Sequence, residues 1–305
     1  MTQTPVSPTR PRRAAGASAA GSWLFVTLQR LLPQHVLSRA VHCLARARLK
    51  PLKNALIGAF VRRFRPQMSE ASEPDPHLYG SFNELFTRAL KPGARRVDSD
   101  PSSVVSPVDG TVSQIGYLDG LTLLQAKGRT YRLDALLAAH AWTPRFAGGA
   151  FATLYLAPRD YHRIHMPLAA QLRAAWYVPG RLFSVNTTTA EAVGDLFARN
   201  ERVACAFETA SGLPLAMVLV GALFVGSIAT QWHGEVAPRR PRRALDLPVP
   251  YPAPPLAKGS EMGHFNMGST VILLFPRDAV AWLPELAAAS RIRMGQPLAR
   301  LLAAG

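Results

Sequence analysis

Val203-Ala204-Cys205-Ala206-Phe207, then Thr209-Ala210-Ser211-Gly212, then Leu215-Ala216-Met217-Val218-Leu219-Val220, is the stretch that decides the fold class. Two apolar runs joined by a short polar segment ending in glycine read as an antiparallel hairpin. Hydropathy alone would mark residues 213–226 as a membrane span. That run is shorter than the roughly 20 apolar residues a spanning helix needs, and it contains Pro214, Gly221 and Gly226, so buried strands are expected.

The same texture extends in both directions. From Ser102 onward, short β-branched runs are separated by Gly, Pro, Asn and Asp, which predicts a mainly antiparallel β core. Residues 238–255 are dense in proline and carry Arg239, Arg240, Arg242 and Arg243; they read as a loop, either solvated or touching anionic lipid headgroups. Toward the N-terminus the period changes, and three helical segments are predicted at 23–32, 35–48 and 52–64. In the second, Val36, Leu37, Ala40, Val41 and Leu44 recur at helical spacing; in the third, Leu52, Leu56, Ala59, Phe60 and Phe64 do. Such basic amphipathic helices suit a bilayer surface, though the same stripes would serve for packing on the rest of the protein. The Pro, Ala, Ser, Thr and Arg residues before Trp23 bury too little apolar surface to order themselves and are expected to be disordered. The class is therefore α+β: a basic tail and amphipathic helices over 1–68, and a β-rich domain over 69–305.

Charge is unevenly placed along the 305 residues. Of 35 Lys and Arg, twelve precede Glu70, the first acidic residue, leaving 23 basic against 19 acidic residues and a balance of only +4 beyond it. An acid-free basic arm serves nucleic acid, an anionic membrane or a targeting machinery, and charge alone does not choose. No zinc-finger spacing or aromatic RNA-binding motif supports nucleic acid. Cys43 and Cys205 lie far apart, which gives neither a disulfide framework nor a zinc site and fits a reducing cytosolic face. The apolar stretch after Trp23 is interrupted by Thr27, Gln29, Arg30 and Pro33, unlike a cleaved secretory signal.

Three polar groups stand out in the β-rich region. Ser106-Pro107-Val108-Asp109-Gly110 sets a carboxylate at a tight turn entering a strand, a pattern that turn chemistry alone also explains. Tyr161-His162-Arg163-Ile164-His165-Met166-Pro167 places two histidines three apart. Without a helical HExxH pattern, and with Pro158 and Pro167 at its flanks, the segment suits proton transfer better than metal binding. Phe265-Asn266-Met267-Gly268-Ser269-Thr270-Val271-Ile272 leads a Gly-Ser-Thr step into an apolar run. It is either a turn entering a buried strand or a strained peptide bond, with an unhindered Gly268 carbonyl beside the Ser269 hydroxyl.

In wording and order these motifs resemble the phosphatidylserine decarboxylases of the bacterial membrane-associated type. Residues 81–88 (SFNELFTR), 124–128, 182–186, 196–203 (LFARNERV) and 258–265 (KGSEMGHF) extend the resemblance from about Leu78 to the C-terminus. Met267 replaces the leucine usual in that family's LGST motif, a volume-conserving exchange. The Pro/Arg-rich tail is not a family feature.

The resemblance implies that Asp109, His165 and Ser269 act as a Ser-His-Asp set. Ser269 would attack the Gly268 carbonyl, His165 would take its proton, and Asp109 would fix the tautomer. Cleavage would leave residues 1–268 (the β chain) and 269–305 (the α chain), the latter opening with a pyruvoyl group made from Ser269. That covalent cofactor would form a Schiff base with the amine of phosphatidylserine and act as electron sink for loss of carbon dioxide, giving phosphatidylethanolamine, with His162 as the acid that reprotonates the carbanion. Only five lysines, Lys50, Lys53, Lys91, Lys127 and Lys258, are available to hold pyridoxal phosphate instead. The resemblance further implies a homodimer of processed protomers, peripheral on the cytoplasmic side of the cell membrane, with phosphatidylserine in an anionic membrane as partner and no metal. The rival reading is an uncleaved serine hydrolase using Asp109, His165 and Ser269.

Overall fold

The computed structural model describes residues 33–223, 227–236, 243–267 and 269–302, together with Thr27 and Gln29. The expected disordered tail, most of the helix expected at 23–32, and Arg239, Arg240 and Arg242 lie outside the described residues.

A nine-stranded antiparallel sheet forms the centre. Its strands include β1 (Gly110–Tyr117), β2 (Ala150–Leu156), β4 (Ala170–Val178), β5 (Arg202–Glu208), β6 (Pro214–Val220) and β8 (Ser269–Phe275). The expected hairpin is β5 and β6, closed by Gly212 at φ +81°, a left-handed conformation that favours glycine. Strand β8 lies between β2 and β6, with Leu273 paired to Ala152 on one side and Met217 on the other. Val271, Leu273 and Phe275 enter one hydrophobic cluster, whereas Ile272 and Leu274 enter a second on the opposite face. Both faces are covered, which is why the run 271–275 is continuously apolar instead of alternating.

A smaller sheet pairs β7 (Glu261–Phe265) with β3 (Arg163–His165), carrying the histidine segment alongside the strand that leads to the Gly-Ser-Thr step. The segment expected to be all loop holds a short strand, Leu245–Leu247, paired to β4 at the sheet edge. Edge pairing tolerates nearby prolines because only one side of such a strand needs donors.

The helices differ in detail from expectation. Helix α1 spans Gln34–Ala45 and α2 spans Lys50–Phe64; α2 starts earlier than predicted because Pro51 fits the first turn, where its missing N–H is no loss. Helix α1 buries Gln34, Ser38 and Ala45, while Val36 and Leu44 of its apolar stripe are exposed. Helix α2 buries Lys53, Ile57 and Phe60 against the short helix α3 (Phe82–Phe86), with the Lys53 ammonium donating to the carbonyls of His77 and Tyr79 at 2.7 Å each. A lysine expected on the polar face is thus interior, and half the apolar stripe is outside. Among the described residues, no helix is long and apolar enough to cross a membrane.

Leu273 is fully buried in the middle of β8. Leu273→Ala is expected to lower unfolding free energy by about 2–5 kcal/mol, read from urea denaturation; a change below about 1 kcal/mol would contradict a central position for this strand.

Candidate functional site

Strand register assembles the three motifs at one end of the sheet. Tyr155 of β2 is paired to Thr111 of β1 on one side and to Thr270 of β8 on the other, and Leu156 is paired to Ser269. Asp109 and Ser269 therefore lie at the same end of the sheet with one strand between them, about 10 Å apart at a strand spacing of 4.7–4.9 Å. The histidine segment bridges the starts of β1 and β8. His162 accepts the Phe265 N–H at 3.0 Å through its carbonyl, and the His165 N–H donates to the Pro107 carbonyl at 2.9 Å.

Gly268 and the Ser269 side chain lie outside the described residues, so the expected reacting pair enters only through the Ser269 backbone. The residues before it are held firmly. Asn266 is buried, accepts from Asn83 Nδ2 at 3.0 Å, and donates through Nδ2 to Ser227 Oγ at 2.6 Å. Ser227 in turn donates to Glu235, whose carboxylate also receives His42 and Arg46 of the α1 region at 2.8 Å each. Met267 follows at φ +117°, a conformation that costs a non-glycine residue of order 1–3 kcal/mol. Strain thus sits one residue before the expected cleavage, between an anchored Asn266 and a fully paired strand.

His165 has both ring nitrogens occupied. Nδ1 faces the Gly259 carbonyl at 2.8 Å and so must carry the proton, leaving Nε2 as the acceptor for the Tyr161 hydroxyl at 2.9 Å. Burial lowers its pKa, opposed by the Gly259 hydrogen bond. The Asp109 carboxylate is engaged elsewhere: it accepts from Arg95 Nε at 2.8 Å, from Arg95 Nη2, and from the Met294 N–H at 2.8 Å. In this arrangement the tautomer of His165 is set by the Gly259 carbonyl, and Asp109 and His165 share no hydrogen bond. Asp109 ties the start of β1 to the C-terminal segment through Met294, while Arg95 reaches Glu70 at 2.7 Å.

His162 is completely buried. Nδ1 donates to the Asp160 carbonyl at 2.9 Å, the ring lies 4.1 Å from the Phe86 ring, and Nε2 has no partner among the described residues. Burial pushes its pKa down to about 3, so it is neutral and presents an unpaired lone pair.

A family model described as phosphatidylserine decarboxylase matches residues 82–300, and a second, described as PSD, matches residues 24–65. The phosphatidylserine decarboxylase proenzyme of Pseudomonas fluorescens is 52% identical over 281 residues, which is 90% of this chain and 96% of that protein. The proenzyme of Ectopseudomonas mendocina is 50% identical across 90% of this chain and 97% of its own length, and that of Bordetella pertussis 50% identical across 90% and 94%.

The chain belongs to the phosphatidylserine decarboxylase family.

It is accordingly a carboxy-lyase with an α+β fold. Sequence reasoning on this decarboxylase missed Arg95, Tyr161 and Gly259 as the groups that hold Asp109 and His165. Gly259 acts through its carbonyl, which no side-chain pattern reveals. In the sequence Arg88 stands only as the last residue of SFNELFTR, and its burial at 3% exposure could be seen only in the fold.

The depressed pKa of His162 makes an acid-limb prediction. Between the ordinary value of 6.5 and about 3 the unfolded chain binds a proton that the folded chain refuses. Its contribution to stability is therefore complete above 6.5 and is lost as pH falls toward 3. The loss is about 1.4 kcal/mol per pH unit, so urea unfolding near pH 4 and near pH 7 should differ by a few kcal/mol more in wild type than in His162→Leu. Identical pH dependence in the two proteins would mean that His162 is not buried as a neutral ring.

Proposed function

We propose that the chain cleaves itself between Gly268 and Ser269, converts Ser269 to a pyruvoyl group, and decarboxylates the serine headgroup of phosphatidylserine at an anionic membrane surface. The observation that carries the reading is the placement of Ser269 at the head of a central strand, two residues after Met267 at φ +117° and just beyond the strand that pairs with the histidine segment. That setting fits the group: strain sits one residue ahead of the Gly268–Ser269 bond, and the backbone of His162, whose buried Nε2 has no partner among the described residues, is hydrogen-bonded to Phe265, four residues before Ser269.

For the processing step, His165 is the base. Its Nε2 is the unprotonated nitrogen, and it takes the Ser269 proton as the hydroxyl adds to the Gly268 carbonyl, replacing an amide with an ester. Proton loss from the Ser269 α carbon then expels the Gly268 carboxylate. Hydrolysis of the resulting enamine releases ammonia and leaves the ketone. Asp109 serves this step from a distance, by holding Arg95 and the Met294 turn in place. Once formed, the pyruvoyl group supplies an electron sink for decarboxylation of the bound amine. His162 works in the second reaction, where its buried Nε2 takes up a proton and returns it to the substrate carbon after carbon dioxide leaves.

Wild-type protein should separate under denaturing conditions into chains of 268 and 305 minus 268, or 37, residues, the smaller with a blocked start. Ser269→Ala, His165→Ala and Asp109→Ala should accumulate whole precursor; His162→Ala should cleave yet release carbon dioxide about a hundredfold or more slowly. A full-length, unblocked and active wild type would overturn the processing reading and favour the hydrolase. Normal cleavage in His165→Ala with a block in His162→Ala would exchange the two roles.

The membrane part rests on the helices. Val41 and Leu44 of α1, Leu56, Phe60 and Phe64 of α2, and Met267 line an open apolar groove of about 360 Å³. The groove runs from the outward stripes of both helices to the residue before Gly268. Arg39, Arg62 and Arg63 are exposed around these helices, which suits an anionic bilayer. The family resemblance extends the proposal to peripheral attachment on the cytoplasmic side and to a homodimer of processed protomers. Replacing all three arginines by glutamine should weaken flotation with anionic vesicles by roughly a hundredfold, at about 1 kcal/mol per charge, and added salt should weaken wild-type flotation. Unchanged flotation would move the contact to other residues.

A further inference from the structure

The SFNELFTR segment ends on a residue that takes no part in the steps assigned to His165, Asp109 and His162. Arg88 is 3% exposed, and its guanidinium is only partly satisfied. Nη2 donates to the carbonyls of Arg159 at 3.2 Å and Asp160 at 3.4 Å, while Nε and Nη1 have no hydrogen-bond partner among the described residues. A buried charged donor left unpaired is costly, so a stable fold retains one where something else completes it.

Arg88 lines a polar cavity of about 150 Å³ whose walls include Arg65, Arg95, Arg159, Arg291 and Arg293. Three acidic residues, Glu70, Asp109 and Asp160, also line it, so six arginines less three carboxylates leave an excess of +3. The carboxylates are already engaged. Asp109 is held by Arg95, Glu70 by Arg95 and Arg293, and Asp160 by Arg291 at 2.9 Å. The excess therefore falls on Arg65, Arg88 and Arg159, of which Arg159 reaches Asp160 only at 4.0 Å. This is an anion site in charge and in unmet hydrogen bonds.

Its location ties it to the reaction. The Asp160 carbonyl that receives Arg88 Nη2 also receives His162 Nδ1, so the buried guanidinium and the buried imidazole converge on one oxygen. Arg65 follows directly on Phe64, which lines the apolar groove, so groove and cavity are consecutive along one chain segment.

We propose that this cavity, with Arg88 at its base and Arg65 and Arg159 at its rim, is an oxyanion subsite for the phosphate of the substrate's phosphodiester. The inference rests on the decarboxylase reading and adds the group by which a phospholipid headgroup is recognised. Phosphate, not the serine carboxylate, is the fitting ligand. A cation that binds the departing carboxylate stabilises the ground state more than the transition state, in which that charge is leaving, and so retards the reaction. The phosphate keeps its charge throughout, so binding it anchors the headgroup without that penalty.

The test uses full-length processed enzyme with phosphatidylserine in mixed micelles, and three soluble competitors: glycerophosphoserine, O-methylserine, which has the same amine and carboxylate but no phosphate, and inorganic phosphate. In wild type, glycerophosphoserine should compete at least tenfold more tightly than O-methylserine. Arg88→Gln should raise KM far more than it lowers kcat, on the order of ten- to a hundredfold for a lost charged hydrogen bond, and should erase the difference between the two serine compounds. Arg88→Lys should recover part of both. Should Arg88→Gln fail to fold or cleave, Arg159→Gln at the exposed rim carries the test, with a several-fold rise in KM and a weaker preference for glycerophosphoserine.

Unchanged KM and unchanged preference in whichever variant folds would overturn the subsite. Inorganic phosphate that competes as tightly as glycerophosphoserine, with KM unmoved in the variants, would assign the cavity to free phosphate and also overturn the headgroup source. No carbon dioxide from wild type would refute the underlying decarboxylase reading; normal release with equal competition by the two serine compounds would refute the subsite alone.

Discussion

The rest of the molecule depends on the double pairing of the strand that begins at Ser269. Its backbone is hydrogen-bonded to β2 and to β6 at once, and its side chains fill hydrophobic clusters on both faces. A strand in that position cannot leave without opening the whole sheet. Beyond it, Val280–Trp282 and Pro297–Leu301 join Ser103–Val105 in a separate three-stranded sheet, and Arg291–Ile292 pairs with the start of β1. A break before Ser269 would therefore separate two chains covalently while the fold kept them together. The same pairing fixes the backbone on the Ser269 side of the proposed cleavage point. Asn266 is anchored on the other side, and Met267, next to it, adopts a φ that an L residue rarely adopts.

Ionic contacts then set what each polar group near that bond is free to do. Arg95 takes Asp109 and Glu70, and Arg293 of the C-terminal segment takes Glu70 from the other side. Of these contacts the Arg293–Glu70 pair, with the Met294 N–H that donates to Asp109, joins residues on the two sides of the proposed cleavage and would hold the two pieces in register. Because Asp109 is spent on them, His165 relies on a backbone carbonyl for its tautomer and on Tyr161 for its second partner. A carbonyl orients an imidazole as well as a carboxylate does, but it adds no full negative charge to stabilise the imidazolium. A neutral His165 hydrogen-bonded to Tyr161 would suit the proposed processing step, which each chain would perform once.

Periodicity and turn chemistry made the antiparallel core legible in the sequence. The hairpin was readable because Gly212 marks the turn and both runs are apolar. The motif residues were readable as candidates because their polar clusters, SPVDG, YHRIHMP and NMGST, stand out against an apolar background. Three things were not readable. The orientation of α1 and α2 was left open, since an amphipathic stripe reports that one face is apolar but not which face the protein covers; Lys53 is interior because two backbone carbonyls receive its ammonium. The strand Leu245–Leu247 was hidden by neighbouring prolines that an edge position accommodates. The partners of Asp109 and His165 come from residues far away in sequence, among them a backbone carbonyl, and nothing local announces them.

The way the helices face bears on how a lipid enzyme can work at all. A soluble enzyme hides its apolar helix faces, and the polar ones meet water. Here Gln34 and Ser38 turn inward, where Gln34 donates to the Gln29 carbonyl and accepts from the Leu182 N–H, and Val36 and Leu44 turn outward. Exposing such side chains in water is unfavourable, by about 25 cal/mol per Å² of apolar surface, so the arrangement is economical where another apolar medium covers them. The groove that Leu44 borders reaches Met267, two residues before Ser269. Under the proposed membrane attachment, the surface that gains most from a bilayer would thus be the one next to the proposed reacting end of the central strand. A phospholipid headgroup would then meet the site without its acyl chains leaving the apolar phase.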